Sequence, residues 1–401
     1  MNILKRLWLM CLLTQGGNLY AQQIGLNLPK DSTKVSFSFQ VANSMVIIPV
    51  GINGKLVLPF ILDTSVEFTT LTNKSLGDEM GFNYLRKMVL AQSPEGLIHG
   101  YSANELYYEL PGGVFTGDNH SMMVLDYDFL GLSTLAQSSV YGLIGRDIFS
   151  RFVVDINMDK QLLTLHEPKS FTPPAGYEAV PLKIEDGKVK LAITTVFENW
   201  EKQTTYFSVK TGAPHTVFID SDQNIYNVPP RKVETVLGKG NTGDVYGAVG
   251  RVREIVIGKS RFENALASFT KDQINGMDRS SVGMGLLSRF NMIVDFQGGT
   301  IYLRPNKTFT KLFEFDLSGI KISPIGDGRF YIDFVQQGSP AAQAGLQVGD
   351  QVVSINEAVL TDENFAKTVL QLNDRPDKKI TLKILQGDVQ KEVSFKLIRF
   401  I

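Results

Sequence analysis

Phe60-Ile61-Leu62-Asp63-Thr64-Ser65 and, far downstream, Phe207-Ser208-Val209-Lys210-Thr211-Gly212-Ala213 share one pattern. In each, an apolar strand runs into a tight turn that is opened by a lone polar residue and closed by a small one. The strand reads as buried, and the turn presents one side chain at its tip: Asp63 in the first copy, Lys210 in the second. Later segments match as well. Gly145-Arg146-Asp147-Ile148-Phe149-Ser150-Arg151-Phe152 is echoed by Gly283-Met284-Gly285-Leu286-Leu287-Ser288-Arg289-Phe290, down to a shared Ser-Arg-Phe. Val154-Asp155-Ile156 through Leu163-Thr164-Leu165 is echoed by Val294-Asp295-Phe296 through Ile301-Tyr302-Leu303. Repetition at this scale predicts an internal duplication: two all-β lobes, each aiming one turn at a shared cleft.

Outward from the first turn, Met45 to Gly51 and Lys55 to Phe60 flank Asn53-Gly54, a strong hairpin signal that feeds the second strand straight into Asp63. Val35 to Phe39 alternates as an earlier strand, and a short helix is expected around Ser75 to Met80. Ser93-Pro94-Glu95-Gly96 has the turn chemistry of a mobile hairpin tip. Pro168 to Pro181, with Thr172-Pro173-Pro174-Ala175-Gly176 inside it, reads as the linker between halves, so the lobes are expected at 22–167 and 183–310 with a linker at 168–182. Val189 to Val196 and Thr204 to Val209 are the strands leading into Lys210.

From Phe315 the chain changes character and predicts a compact α+β module to residue 401. Strand Phe330 to Val335 precedes Gly338-Ser339-Pro340-Ala341-Ala342-Gln343-Ala344-Gly345-Leu346 and Val348-Gly349-Asp350. An amphipathic helix is expected over Asp362 to Leu372, and Ile380 to Leu385 and Glu392 to Ile398 finish as strands.

At the other end, Lys5-Arg6, the apolar run Leu7 to Leu13 and Leu19-Tyr20-Ala21 read as a signal peptide over residues 1–21, cut before Gln22. Its apolar core is too short for a permanent membrane span. The destination this implies is extracytoplasmic: periplasm, cell surface or medium. The single cysteine, Cys11, lies in that leader, so the mature chain has no thiol for a disulfide or metal site. Removing Lys5 and Arg6 from the 40 basic residues leaves 38 against 41 acidic, a net charge of −3. That balance disfavours a nucleic-acid or anionic-membrane partner, since both need a basic face. No cofactor or metal is expected: His99, His120, His166 and His215 lack ligand spacing, although His99 and His215 are placed where they can line the cleft. Asp220-Ser221-Asp222-Gln223-Asn224 starts like a calcium loop but has Ile225 at the glycine position and Arg231 at the closing glutamate. Gly238 to Gly243 resembles a phosphate loop only in its glycines and reads as a hairpin tip.

The Asp63-Thr64-Ser65 and Lys210-Thr211-Gly212 turns, with the paired Ser-Arg-Phe segments, resemble the bilobal retropepsin-like and pepsin-like aspartic peptidases. The Gly-Ser-Pro-Ala-Ala-x-Ala-Gly-Leu run of the tail resembles a PDZ domain. Exported bacterial aspartyl-peptidase-like proteins with a C-terminal PDZ domain have this layout. The resemblance implies a mainly β fold of two duplicated barrel-like lobes around a central cleft, followed by an α+β PDZ domain. In that family two turn aspartates hold one water, and because both cannot ionise, one serves as acid while the other serves as base. Asp63 matches one partner; Lys210 stands at the other. The expectation is therefore a catalytically impaired protein that binds peptide or unfolded segments in the cleft. The alternative is an active aspartic endopeptidase using Asp63, in an unusual dimer. A Ser–Lys or Thr–Lys nucleophile built from Ser65 or Thr64 with Lys210 is chemically open but has no expected oxyanion hole.

Asp63 and Lys210 are expected to form a salt bridge, worth on the order of 4 kcal/mol before desolvation at close contact, with Thr64 and Thr211 as the cross-lobe hydroxyls. Ser65 replaces the family's glycine. Peptide contacts are expected at Gly96 of the hairpin tip. In the tail, Gly326 to Phe330 is the expected carboxylate-binding loop, with Gly328, Arg329, Phe330, Tyr331 and Ile332 at the peptide, the edge of Phe330 to Phe334 pairing with it, and a protein C-terminus as the partner.

Overall fold

A computed structural model describes residues 25–93, 96–117, 120–185, 187–220, 228–240, 243–270, 280–325 and 327–401. The leader at 1–21, Pro94-Glu95 of the hairpin tip, Ser221 to Asn224, Asn241-Thr242 and Gly326 lie outside the described residues. The protein is mainly β, and among the described residues its strands fall into three sheets.

The first sheet is built on the hairpin Met45–Ile52 and Leu56–Leu62. Asn53 (φ 51°) and Gly54 (φ 62°) are both left-handed, the central pair of a turn closed by Lys55 N donating to Ile52 O (2.9 Å), a conformation that an Asn-Gly pair favours. Phe60, Ile61 and Leu62 are fully buried, so the strand that ends at Asp63 runs through the core. It pairs parallel with Gly142–Ile144, which pairs antiparallel with Thr70–Leu71. The same pairing recurs downstream: Lys202–Lys210 runs parallel to Ser280–Gly283, which pairs antiparallel with Val217–Asp220. A short helix follows each inner strand, Arg146–Phe149 in one half and Met284–Leu287 in the other.

The halves meet in a run of consecutive neighbours: Lys34–Ser38, Leu162–His166, Val153–Asn157, Phe290–Asp295, Thr300–Pro305 and Glu178–Glu185. Val154 opposite Val294 is the join. One contiguous apolar core spans both halves, from Leu26 to Phe313.

The expected linker at 168–182 is only partly a linker, because Glu178–Glu185 is a strand. Its first residues pair with Thr300–Pro305 and its last with Lys188–Val196. Pro181 sits where the partner changes, at the end of one ladder, which is a position a strand proline tolerates.

The tail has its own core, from Leu317 to Leu397. Its sheet runs Ile320–Pro324, Phe330–Val335, Gln351–Ile355, Lys379–Gln386, Val389–Lys396. Ser339 caps the helix Pro340–Gln343, its Oγ accepting from Ala342 N at 3.0 Å. The helix expected from Asp362 begins only at Phe365 and finishes as a 3-10 turn over Leu370–Asn373. Thr361 and Asn364 bond to each other instead (Thr361 N to Asn364 Oδ1, 3.0 Å), which holds the intervening residues in a turn.

Candidate functional site

The two turns are locked together by four bonds in a near-symmetric exchange. Thr64 N donates to Thr211 Oγ1 (3.0 Å) and Thr211 N to Thr64 Oγ1 (3.3 Å). Each hydroxyl then donates across to the other strand, Thr64 Oγ1 to Val209 O (2.6 Å) and Thr211 Oγ1 to Leu62 O (2.8 Å). Both threonines are buried, so water is not available to replace any of these bonds.

Asp63 is 7% exposed. Its Oδ1 accepts from Ser65 N (3.0 Å) and its Oδ2 from Ser65 Oγ (2.8 Å), so Ser65 engages both oxygens of the carboxylate. Asp63 N donates to Ile144 O at 2.9 Å, fixing the turn to the inner strand. A Cβ on Gly212 would stand 2.5 Å from Asp63 Cγ, and one on Gly145 would collide with the Asp63 carbonyl oxygen. Glycine at 145 and 212 is what lets both neighbouring backbones close on Asp63.

Lys210 ends its strand opposite Gly283. The expected salt bridge does not form: among the described residues no ion pair joins Asp63 and Lys210. The Asp63 carboxylate is short and turned onto its own Ser65, whereas the lysine ammonium stands at the end of a four-carbon stem. Its charge bears on His215 instead. Burial and, second, the Lys210 charge push the His215 imidazole down to about 3, while its hydrogen bond with Ser281 acts the other way. His215 Nε2 lies 3.0 Å from Ser281 Oγ, and the ring is neutral over the physiological range. His215 is thus packed behind the second turn. His99 is in the long hairpin Asn83–Ser93 and Gly96–Leu106, with Nδ1 3.3 Å from Asp126 Oδ2. Gly96 opens the second strand of that hairpin with φ 136°.

A cluster that the sequence did not bring together braces the short helix Arg146–Phe149. Asp147 Oδ2 accepts from Thr69 Oγ1 (2.5 Å) and Tyr108 OH (2.9 Å), with His120 Nε2 at 3.7 Å. Burial raises the Asp147 carboxyl, but the bonds from His120, Thr69 and Tyr108 outweigh it and hold the group below the usual range. Asp147 lies in the segment Gly145 to Phe152, whose echo at Gly283 to Phe290 has Gly285 in its place, and nothing in the local pattern marks Tyr108 or His120 as its partners.

In the tail, the expected peptide-pairing edge is not an edge. Phe330–Val335 is hydrogen-bonded on both sides, with Ile322 opposite Ile332 on one flank and Ile332 N donating to Asp350 O (2.9 Å) on the other. Phe330 is 2% exposed and stacks on Phe365 with ring centroids 4.7 Å apart, and Ile332 is buried beside it. Gly328 (φ 76°) forms the hairpin turn, while Arg329 pairs with Asp327 and reaches Tyr331 OH (3.2 Å). These residues build the hairpin and its core. Among the described residues the sheet ends on Ile320–Pro324 at one side and on Val389–Lys396 at the other, each paired on one flank only. At the head of Ile320–Pro324, Asp316 Oδ1 accepts from Ser318 N (2.9 Å), Gly319 N (3.1 Å) and Ser318 Oγ (2.8 Å), while Ile320 N donates to Ser318 Oγ (3.3 Å). Burial raises the Asp316 carboxyl, and the bonds from Ser318 and Gly319 oppose that rise. The sequence signal for this loop was Asp316-x-Ser318, an aspartate able to bond backbone two residues on.

No curated protein matches the chain at a significant level. A family model described as a PDZ domain matches residues 316–397, the span that has its own core and its own sheet. Residues 316–397 are a PDZ domain, and that domain suggests peptide binding.

Proposed function

We propose that residues 22–310 are two aspartyl-peptidase-like lobes, 22–167 and 183–310, which hold an extended peptide in the cleft between them without hydrolysing it, and that the PDZ domain supplies a second peptide-binding surface. The observation that carries this reading is the exchange of bonds between Thr64 and Thr211, which brings one turn bearing Asp63 against another bearing Lys210. Water attack on a peptide bond in such a site needs one carboxylate to take a proton while another gives one. Two carboxylates kept a few ångströms apart share a single proton and meet both demands. With lysine on the second turn that shared proton has no second acid, and Ser65 already engages both oxygens of Asp63. The role left to the site in this reading is to hold extended chain, and the long hairpin Asn83–Ser93 and Gly96–Leu106 belongs to the same sheet as the strand that ends at Asp63.

The test is the mature protein, assayed from acidic to neutral pH on a mixture of labelled peptides. Peptide retention without cleavage is expected, and Lys210→Asp with Ser65→Gly is expected to gain cleavage at acidic pH. Cleavage by the unaltered protein that disappears in Asp63→Asn would overturn the reading in favour of an active aspartic endopeptidase. Residues 1–21 are proposed to direct export and to be removed. Among the described residues no helix is long and apolar enough to cross a membrane. A secreted or periplasmic product beginning at Gln22 is the expected result, and retention of Met1 on an unexported chain would oppose it.

A further inference from the structure

No strand of the described residues pairs with the outer flank of Ile320–Pro324, so an extended ligand can add to the PDZ sheet there. Val389–Lys396 ends the sheet at its other side, but it is the Ile320–Pro324 strand that is headed by a cluster of backbone N–H groups. The Ser323 hydroxyl on this strand meets Thr134 at 2.7 Å, so the segment that adds lies beside that contact. A ligand ending in a free carboxylate would place that charge at the strand's head, where successive backbone N–H groups converge as an anion-binding nest. Here Ser318 N, Gly319 N and Ile320 N are that set, with Gly319 in the left-handed region (φ 78°). All three are already satisfied from within the chain, two by Asp316 Oδ1 at 2.9 and 3.1 Å and one by Ser318 Oγ at 3.3 Å. Ser318 is fully buried and also donates to Asp316.

We propose that Asp316 is a built-in carboxylate that fills this nest, making it the specificity-determining residue of the domain: the PDZ takes an extended internal segment and discriminates against a free C-terminus. A second carboxylate would have to displace the first or lie beside it, and like charges sharing one site repel. A C-terminal ligand therefore loses the charge-assisted bonds that would make its carboxylate worth recognising, while a strand that only adds to the Ile320–Pro324 edge loses nothing. The inference rests on the peptide-binding reading of the PDZ domain.

The experiment uses the mature full chain with nitrogen-15 in its serines and glycines. The probe is a short labelled peptide with apolar residues at alternate positions, made once with a free C-terminal carboxylate and once as the C-terminal amide. The unaltered protein is expected to bind both forms equally, with the Ser318 and Gly319 amide resonances unmoved. Asp316→Ala is expected to prefer the carboxylate form about tenfold or more, with both resonances shifting on binding. Asp316→Asn, which keeps an acceptor oxygen but not the charge, covers the case in which the alanine variant does not fold; it is expected to gain a smaller preference of the same sign. A carboxylate preference in the unaltered protein, or folded variants that show neither preference nor resonance shift, overturns the proposal. Failure of the unaltered protein to bind either peptide would sink the peptide-binding reading instead. The response of the Ser318 and Gly319 amides in Asp316→Ala would still decide the role of Asp316.

Discussion

Thr211 makes more of the junction than its size suggests, because its one hydroxyl both accepts from Thr64 N and donates to Leu62 O, all of it buried. Thr211→Val keeps the shape and leaves a buried N–H and a buried carbonyl without partners. An orphaned buried group costs about 1–3 kcal/mol, so a loss of roughly 2–4 kcal/mol is expected in urea unfolding, with m unchanged. Two titrating residues pull stability in opposite directions as the solution is acidified. Desolvation raises the half-buried Asp155 carboxyl to about 6, Arg304 opposing only in part, so the folded state holds that proton more tightly than the unfolded state. Its effect is to lower stability as pH rises from about 4 to 6 and to keep it lower above that. Asp155→Asn is therefore expected to stabilise the protein at pH 7 by about 1–2 kcal/mol after solvent screening, with no gain below pH 4. His215, pushed down to about 3 by burial and the Lys210 charge, does the reverse. Its contribution is present above about 6.5 and lost as pH falls toward 3, on the order of 4 kcal/mol in all. The histidine effect is the larger, so net acid destabilisation is expected in this window. His215→Gln should flatten that slope in pH-dependent denaturant melts.

The element that positions the candidate site is the turn-and-inner-strand unit, and its tolerance is set by glycines rather than by apolar packing. Gly212→Ala would put a methyl 2.5 Å from Asp63 Cγ, closer than real side chains approach. Asp63 cannot swing aside without breaking both bonds to Ser65, so the second turn must retreat. A cost of about 1–3 kcal/mol is expected from such overpacking, read as a lowered urea midpoint. The unit was legible from the chain because its signals are local: Asn53-Gly54 sets the hairpin, and the recurring glycine before each short helix marks the inner strand. The PDZ helix starts later than its apolar pattern predicts, because the bonds exchanged between Thr361 and Asn364 compete with the first helical turn. The brace around Asp147 was not legible at all, since Thr69, Tyr108 and His120 reach it from three separate strands or loops.

At the scale of the whole molecule, the PDZ domain has a core of its own and touches the rest through polar bonds. Ser323 Oγ lies 2.7 Å from Thr134 Oγ1, Gln336 Nε2 donates to Glu234 O at 3.0 Å, and Arg251 Nη2 donates to Ile401 O, just past the domain, at 3.4 Å. Separate cores predict two calorimetric transitions. Ser323→Ala with Gln336→Ala is expected to move neither midpoint by more than about 2 °C while raising the rate of tryptic cleavage at Lys307 or Lys311. A single sharp transition that the double variant lowers as a unit would show that the cores unfold together. Read along the chain alone, this protein is a mainly β molecule with a repeated strand-turn unit and a PDZ tail, because hydrophobic alternation, turn residues and repetition act over a few neighbouring positions. Only the tertiary structure decided that Asp63 faces Ser65 rather than Lys210, and that Ile320–Pro324, not Phe330–Val335, has an open flank. Both outcomes depend on which distant strands lie side by side and on where a long side chain places its charge, and neither leaves a mark in local sequence.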